Sequence, residues 1–363
     1  MNCPKCGTQN PDNAQVCSSC SSELLKAQTG IEEIIPRTSG LAIVAFVLGI
    51  LSLFSCGLTI LPAIILGIVS FVVIEKSGGR LTGTNFAILG FIIPVCVSVI
   101  FGVILGILLP ALFQARQTDF RMACGTNLSG IGKAMLIYSN DYDDAFPRSG
   151  GKDSIWRRRI ANWRAENRFV AYGLNPDGSG GQANISSCFY LLVKYVEVTP
   201  KSFICKGDAG VTEFNPADDG CSDKDLIDLW DFGTEPSTHC SYSYHMPFAL
   251  YALTTSSEPG MAVAADRNPW MDSPGASRKD FPGTYLPDGG KEAVRFGNSI
   301  SHEGNGQNVL FMDIHVGFEK RSFCGINNDN IYTSWDGGDI RIGTPPGIGS
   351  VPTARLDSLL VHD

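Results

Sequence analysis

The chain has 363 residues, of which 18% are charged, and a formal net charge of −8. Up to residue 110 there are five Lys/Arg and five Asp/Glu, so the whole negative excess belongs to the residues that follow. An acidic body repels phosphate backbones, which excludes nucleic acid as the expected partner, and this length implies two or three domains.

The twelve cysteines fall into three groups: four within the first 20 residues, Cys56 and Cys96 in apolar segments, and Cys124, Cys188, Cys205, Cys221, Cys240 and Cys324 beyond. The first group reads as metal ligands and the last as disulfide partners, which places the two ends in opposite redox compartments. No secretory signal peptide is visible. The first apolar run starts near residue 41, behind a cysteine-rich polar segment.

In chain order, residues 1–25 form the first predicted element. Cys3-Pro4-Lys5-Cys6 and Cys17-Ser18-Ser19-Cys20 are two C-x-x-C knuckles, each able to place two thiolates on one side of a tight turn. Together Cys3, Cys6, Cys17 and Cys20 make a tetrahedral four-sulfur site for zinc, against the alternative of two disulfides or a redox pair. A segment this short buries too little to fold alone, and metal binding supplies the missing energy. With Gly7, Asn10-Pro11 and Leu24, these residues resemble the short zinc ribbons at the N-termini of many bacterial membrane proteins. The resemblance implies a structural zinc without catalysis, because no coordination position is left open.

A linker is expected over 26–40, then membrane segments over 41–113. Residues 41–74 carry no charge. As one helix they would run about 51 Å, against a hydrocarbon core of about 30 Å. A break at Ser55-Cys56-Gly57 divides them into helices at about 41–56 and 58–74, forming either two crossings or a re-entrant hairpin. A third helix is expected over 85–113. Lys76 and Arg80, with Lys26 and Arg37, put the connecting loop and the N-terminus in the cytosol. The expected location is therefore a bacterial inner membrane, multi-pass, with the C-terminal domain periplasmic or extracellular. Gly102 and Gly106 form a G-x-x-x-G, either a packing face or chance in a glycine-rich helix. No ionisable residue lies within the spans, so no ion pathway is expected. The apolar runs and the Ser77–Gly83 loop resemble a small bacterial membrane domain of unknown function, which implies topology and no activity.

The exterior domain is expected over 111–363, opening on a helix at about 111–140. Phe120, Cys124, Leu128, Ile131, Met135 and Tyr138 step by three and four along one face. Gly125, Gly130 and Gly132 each weaken that helix by about 1 kcal/mol, so packing must hold it. Several blocks follow one another in a recognisable order: Leu108–Leu112, Cys124–Leu128, Ile131–Ala134, Tyr138–Asp143 with Phe146-Pro147, Ser202–Cys205, Ser241–Tyr244, Ala264–Pro269, and His302 with Asn308–Val316. They resemble type II secretion pseudopilin-like proteins, a type IV pilin-like family with a C-terminal H-x9-D-G signature. The resemblance implies an α+β pilin-like fold, a long N-terminal helix packed on an antiparallel sheet, so that the whole chain is multidomain: zinc ribbon, transmembrane helices, pilin-like domain. Three departures stand out. No prepilin-peptidase site precedes the helix, Ile93 stands where the family has a glutamate, and ten residues separate His302 from Asp313, with Ile314 in place of the glycine.

Val309 to Phe318 alternates as a strand, with Leu310, Met312, Ile314, Val316 and Phe318 on one face and Asp313 and His315 on the other. With His302 these make either a metal or acid–base set, or an Asp–His hydrogen bond that fixes a turn; the second reading is preferred. The resemblance also implies calcium, which one class of pseudopilins binds in a C-terminal loop; Asp218-Asp219 and Asn327–Asn330 could hold it but lack a ligand ladder. The basic run Trp156–Arg159, with Arg164 and Arg168, reads as a solvated face. One disulfide is expected among Cys205, Cys221 and Cys240, with Cys124 simply buried. No catalytic motif and no small-molecule substrate is evident. The expected function is a non-enzymatic, membrane-anchored envelope protein with a structural or interaction role, in contact with membrane lipid and with envelope or pilin-like partners. The alternatives are a zinc-ribbon sensor or adaptor, and an exterior metal-dependent enzyme.

Overall fold

The computed structural model describes residues 1–24, 36–55, 58–248, 250–279 and 285–363. It divides into two units, Met1–Pro110 and Ala111–Asp363. Most of the expected linker, and Cys56-Gly57 at the expected helix break, lie outside the described residues.

In the first unit the apolar run forms helix α1 (Gly40–Leu51), which ends earlier than expected, and helix α2 (Ile60–Lys76), which lies two residues later than expected. Hydroxyls take up carbonyls of the last turn of α1. Ser52 Oγ donates to the Gly49 carbonyl at 2.6 Å, and Thr59 Oγ1 donates to the Leu48 carbonyl at 3.3 Å. At 12 residues α1 spans about 18 Å, too short to cross a bilayer alone. Strands β1 (Arg37–Thr38) and β2 (Leu81–Thr82) pair in parallel at the polar end.

Helix α3 (Thr84–Asp141) merges the third apolar segment with the helix predicted over 111–140 into one run of 58 residues. Pro94 and Pro110 lie inside it, each removing one backbone donor. Among the described residues α3 is the one helix both long and apolar enough to cross a membrane. Small residues let it approach α1 and α2. A Cβ on Gly90 would stand 2.8 Å from the Ala45 backbone carbon, and one on Gly67 3.1 Å from the Phe91 nitrogen. Gly102 and Gly106 meet nothing within 4 Å, so the close-packed face lies a dozen residues before that motif.

In the second unit a five-stranded antiparallel sheet runs in the order β8-β7-β6-β5-β9. Its strands are β5 (Tyr242–His245), β6 (Ala262–Asp266), β7 (Gln307–Phe311), β8 (Val316–Glu319) and β9 (Leu360–Val361). The predicted helical stripe is the core face of α3: Cys124, Leu128, Ile131, Met135 and Tyr138 are buried. Two of the costly glycines are explained by the sheet beneath them. A Cβ on Gly132 would meet Leu310 Cδ1 at 2.7 Å and one on Gly125 would meet Asn308 Oδ1 at 3.1 Å, so β7 lies close under the helix. Helix α5 (Ile185–Val196) is almost wholly buried, and the Asp363 carboxylate accepts from its first two N–H groups at 2.9 and 2.7 Å. Short helices α4 (Arg168–Tyr172) and α6 (Lys291–Arg295), and the parallel pair β3 (Ile155–Trp156) and β4 (Gln182–Ala183), complete the domain.

One strand reading is corrected. Val309–Phe318 is a hairpin, not a single strand, because the chain turns at Asp313-Ile314. Ile314 has φ +67°, a left-handed backbone that a β-branched residue rarely adopts. This is the position where the resembled signature carries glycine.

Candidate metal centre

The two knuckles of the ribbon fold alike. Gly7 N–H donates to the Cys3 carbonyl at 2.9 Å, and Ser21 N–H donates to the Cys17 carbonyl at 2.9 Å. Gly7 and Ser21 follow the second cysteine of each pair and both have positive φ, +73° and +54°. Each turn therefore points its two sulfurs the same way. Asn10, buried between the knuckles, accepts from the Ser18 N–H at 2.9 Å and lies 3.4 Å from Cys17 Sγ through its amide nitrogen.

Cys3, Cys6, Cys17 and Cys20 thus bring their sulfurs within 4.8 Å of one another. Cys3 and Cys20 sulfurs stand 3.7 Å apart, Cys6 and Cys17 sulfurs 3.5 Å apart. A tetrahedral zinc with sulfurs at about 2.3 Å holds them about 3.8 Å from each other, so the cage has the right size. The surroundings favour the thiolate at Cys3 and at Cys17. The Ser22 hydroxyl, then the Lys5 backbone N–H, hold the Cys3 thiol down at about 6. The backbone N–H groups of Ser19 and Cys20 lower Cys17. Cys6 is pulled down by Thr8, but the sulfurs of Cys20 and Cys17 outweigh this and push it up to about 11. That crowding of negative sulfur is what a divalent cation relieves. The small apolar cluster of Cys3, Cys17 and Leu24 could not hold the segment folded by itself.

The geometry defines a structural zinc ribbon, with four thiolates and no open position. Residues 2–24 match the zinc-ribbon domain family. No curated protein and no solved structure matches the chain.

The other predicted site residues are not gathered in one place. Asp313 and His315 sit exposed in the β7–β8 turn, where their side chains hydrogen-bond to each other and His315 N–H donates to Asp313 Oδ1 at 3.2 Å. The His315 ring stacks on Phe311, centroids 4.5 Å apart. This is the turn-fixing arrangement. His302 is elsewhere, buried, with Nε2 3.2 Å from Asp266 Oδ2 and 3.7 Å from Cys205 Sγ. The expected bridge among Cys205, Cys221 and Cys240 is corrected: Cys205 bonds to Cys124, Cα atoms 5.3 Å apart, while Cys221 and Cys240 are free and buried. The core face of α3 carries Cys124 to the Phe203–Cys205 segment, a proximity 81 residues apart in sequence and unreadable from spacing.

Within the two calcium candidates, one aspartate of each is hydrogen-bonded to the protein. Asp219 accepts from Thr234 through its side chain at 2.8 Å, and Asp329 accepts from the Ser358 N–H at 2.7 Å. In the basic run Arg159 pairs with Glu235 at 2.6 Å and Arg158 with Asp272 at 3.6 Å, as a solvated face does. Asp266, inside the Ala264–Pro269 block, carries no site motif of its own. Nothing in a lone Asp at a strand end marks it.

Proposed function

We propose that the chain is a non-enzymatic, membrane-anchored envelope protein, displaying a pilin-like domain on the periplasmic or extracellular side and a structural zinc ribbon in the cytosol. One observation carries this reading. The first part of α3 is uncharged and exposed, with Val99, Ile100, Val103, Ile107 and Leu112 open, whereas its last part is the buried face of an α+β domain. A helix of that kind suits lipid at one end and an antiparallel sheet at the other. The exposed apolar residues of α1 and α2 suit a hairpin in the same bilayer. Whether this hairpin crosses twice or re-enters, the number of crossings stays odd and the two ends lie on opposite sides. Ile93 in place of the family's glutamate, without a processing site before it, favours permanent anchoring over pilus assembly. Membrane lipid and other envelope proteins, pilin-like ones included, are the partners this reading implies.

The test is sidedness and mass. An impermeant maleimide should label Leu250→Cys in spheroplasts and should label Glu75→Cys only after lysis, on a chain that stays in carbonate-washed membranes at its full 39.0 kDa. Equal labelling of both sites overturns the topology. A shortened chain beginning near residue 89 overturns permanent anchoring.

A further inference from the structure

Cys124, Cys205, Asp266 and His302 are all buried, and their sulfur, nitrogen and oxygen atoms lie within 4.8 Å of one another. They come from four separate places: the core face of α3, the segment after Phe203, the end of β6, and the loop before β7. We propose that, with the Cys124–Cys205 bridge reduced, these four residues form a second zinc site, which joins the helix, the sheet and two loops of the exterior domain.

The donor set is chemically apt. Two thiolates, one imidazole and one carboxylate are ordinary ligands for tetrahedral zinc, at about 2.0–2.3 Å each, which puts donors about 3.3–3.8 Å apart. His302 Nε2 lies 3.7 Å from Cys205 Sγ and 3.2 Å from Asp266 Oδ2, close to that spacing. A second observation points to a ligand. Asp266 is fully buried, yet its Oδ1 has no hydrogen-bond partner. An orphaned carboxylate oxygen inside a protein is costly, and coordination to a cation removes the cost. Its other oxygen is held by Asn308, whose backbone N–H donates at 2.7 Å and whose side-chain amide donates at 3.2 Å. That is the outer support which orients a ligating carboxylate. A cavity of 190 Å³, lined in part by Lys206, Gly207 and Ser301, reaches His302 at the edge of the site.

The bridge and the metal exclude each other, since zinc needs both sulfurs as thiolates. Exchange with a small dithiol opens the bridge. The Cys124–Cys205 S–S bond breaks, and two electrons and two protons come from the dithiol, which closes to its own disulfide. Zinc then displaces the two thiol protons and bonds both sulfurs. The zinc assay on the dithiol-treated chain does not depend on the membrane topology.

The experiment uses the full chain in detergent, treated with dithiol, supplied with zinc and freed of excess. Elemental analysis should give about two zinc ions per chain, one of them in the ribbon. Peptide mapping after alkylation should show Cys124 and Cys205 protected until a chelator is added. His302→Gln and Asp266→Asn should each lower the content to about one ion, with Cys3, Cys6, Cys17 and Cys20 still protected. If a variant does not fold, the unsubstituted chain still decides. One zinc per chain, with Cys124 and Cys205 shown to be reduced and alkylated equally with and without zinc, overturns the proposal.

Discussion

Gly7 and Ser21 occupy equivalent positions in the two ribbon knuckles, both left-handed, but only one of them is glycine. For a residue with a Cβ that conformation costs about 1–2 kcal/mol. Nothing lies within 4 Å of a Cβ built on Gly7, so Gly7→Ala adds strain without a clash. With about half of that strain offset by the lower freedom of the unfolded chain, it should weaken zinc binding about two- to fivefold, because the fold of the ribbon and its affinity for metal are one free energy. Ser21→Gly removes the strain but adds freedom to the unfolded chain, which offsets about half the gain. Zinc should then bind about twofold tighter. Competition against a chromophoric chelator measures both, and two neutral outcomes would show that these turns do not set the sulfur geometry.

At the scale of the helices, close approach and open surface can be separated by one kind of substitution. A Cβ on Gly90 would press on backbone atoms of α1, at 2.8 Å from the Ala45 carbon and 2.9 Å from the Phe46 nitrogen, and backbone cannot swing aside as a side-chain tip can. Gly90→Val should therefore destabilise the α1–α3 packing by about 1–3 kcal/mol. Gly106→Val, with open space around it, should be tolerated. Midpoints of thermal unfolding in detergent compare the two. A similar fall for both variants would mean that packing at Gly90 does not hold these helices together.

For the exterior domain as a whole, pH is the informative variable. Burial, with the Asp363 carboxylate adding to it, pushes Asp231 up to about 8. Burial, with Asp357 adding, does the same to Asp329. Both carboxyls hold their proton more tightly in the folded chain than in the unfolded one, where they titrate near 4 as ordinary aspartates do. Their contribution to stability is complete below about pH 4 and is lost as pH rises through about 8. The melting temperature of the domain, followed by near-ultraviolet circular dichroism of the full chain, should be several degrees lower at pH 9 than at pH 6, on the order of 5 °C. An unchanged or higher value at pH 9 would show that these two carboxyls do not govern its stability.

What was legible in the amino-acid order was local. The ribbon cysteines lie in short, regularly spaced pairs, so their convergence needs only two turns, and the spacing alone displays it. The core face of α3 is equally plain, since Cys124, Leu128, Ile131, Met135 and Tyr138 recur at helical period whatever they pack against. Tertiary structure decided the rest. The hairpin at Asp313-Ile314 looked like unbroken alternation, because two strands joined by a short turn keep the same period as one. Cys124 meets Cys205, and Asp266 meets His302, only because β7 slides under the glycines of α3 and brings distant loops to one buried point. Contacts over 81 residues of chain depend on the path of everything between them, and no spacing rule reaches that far.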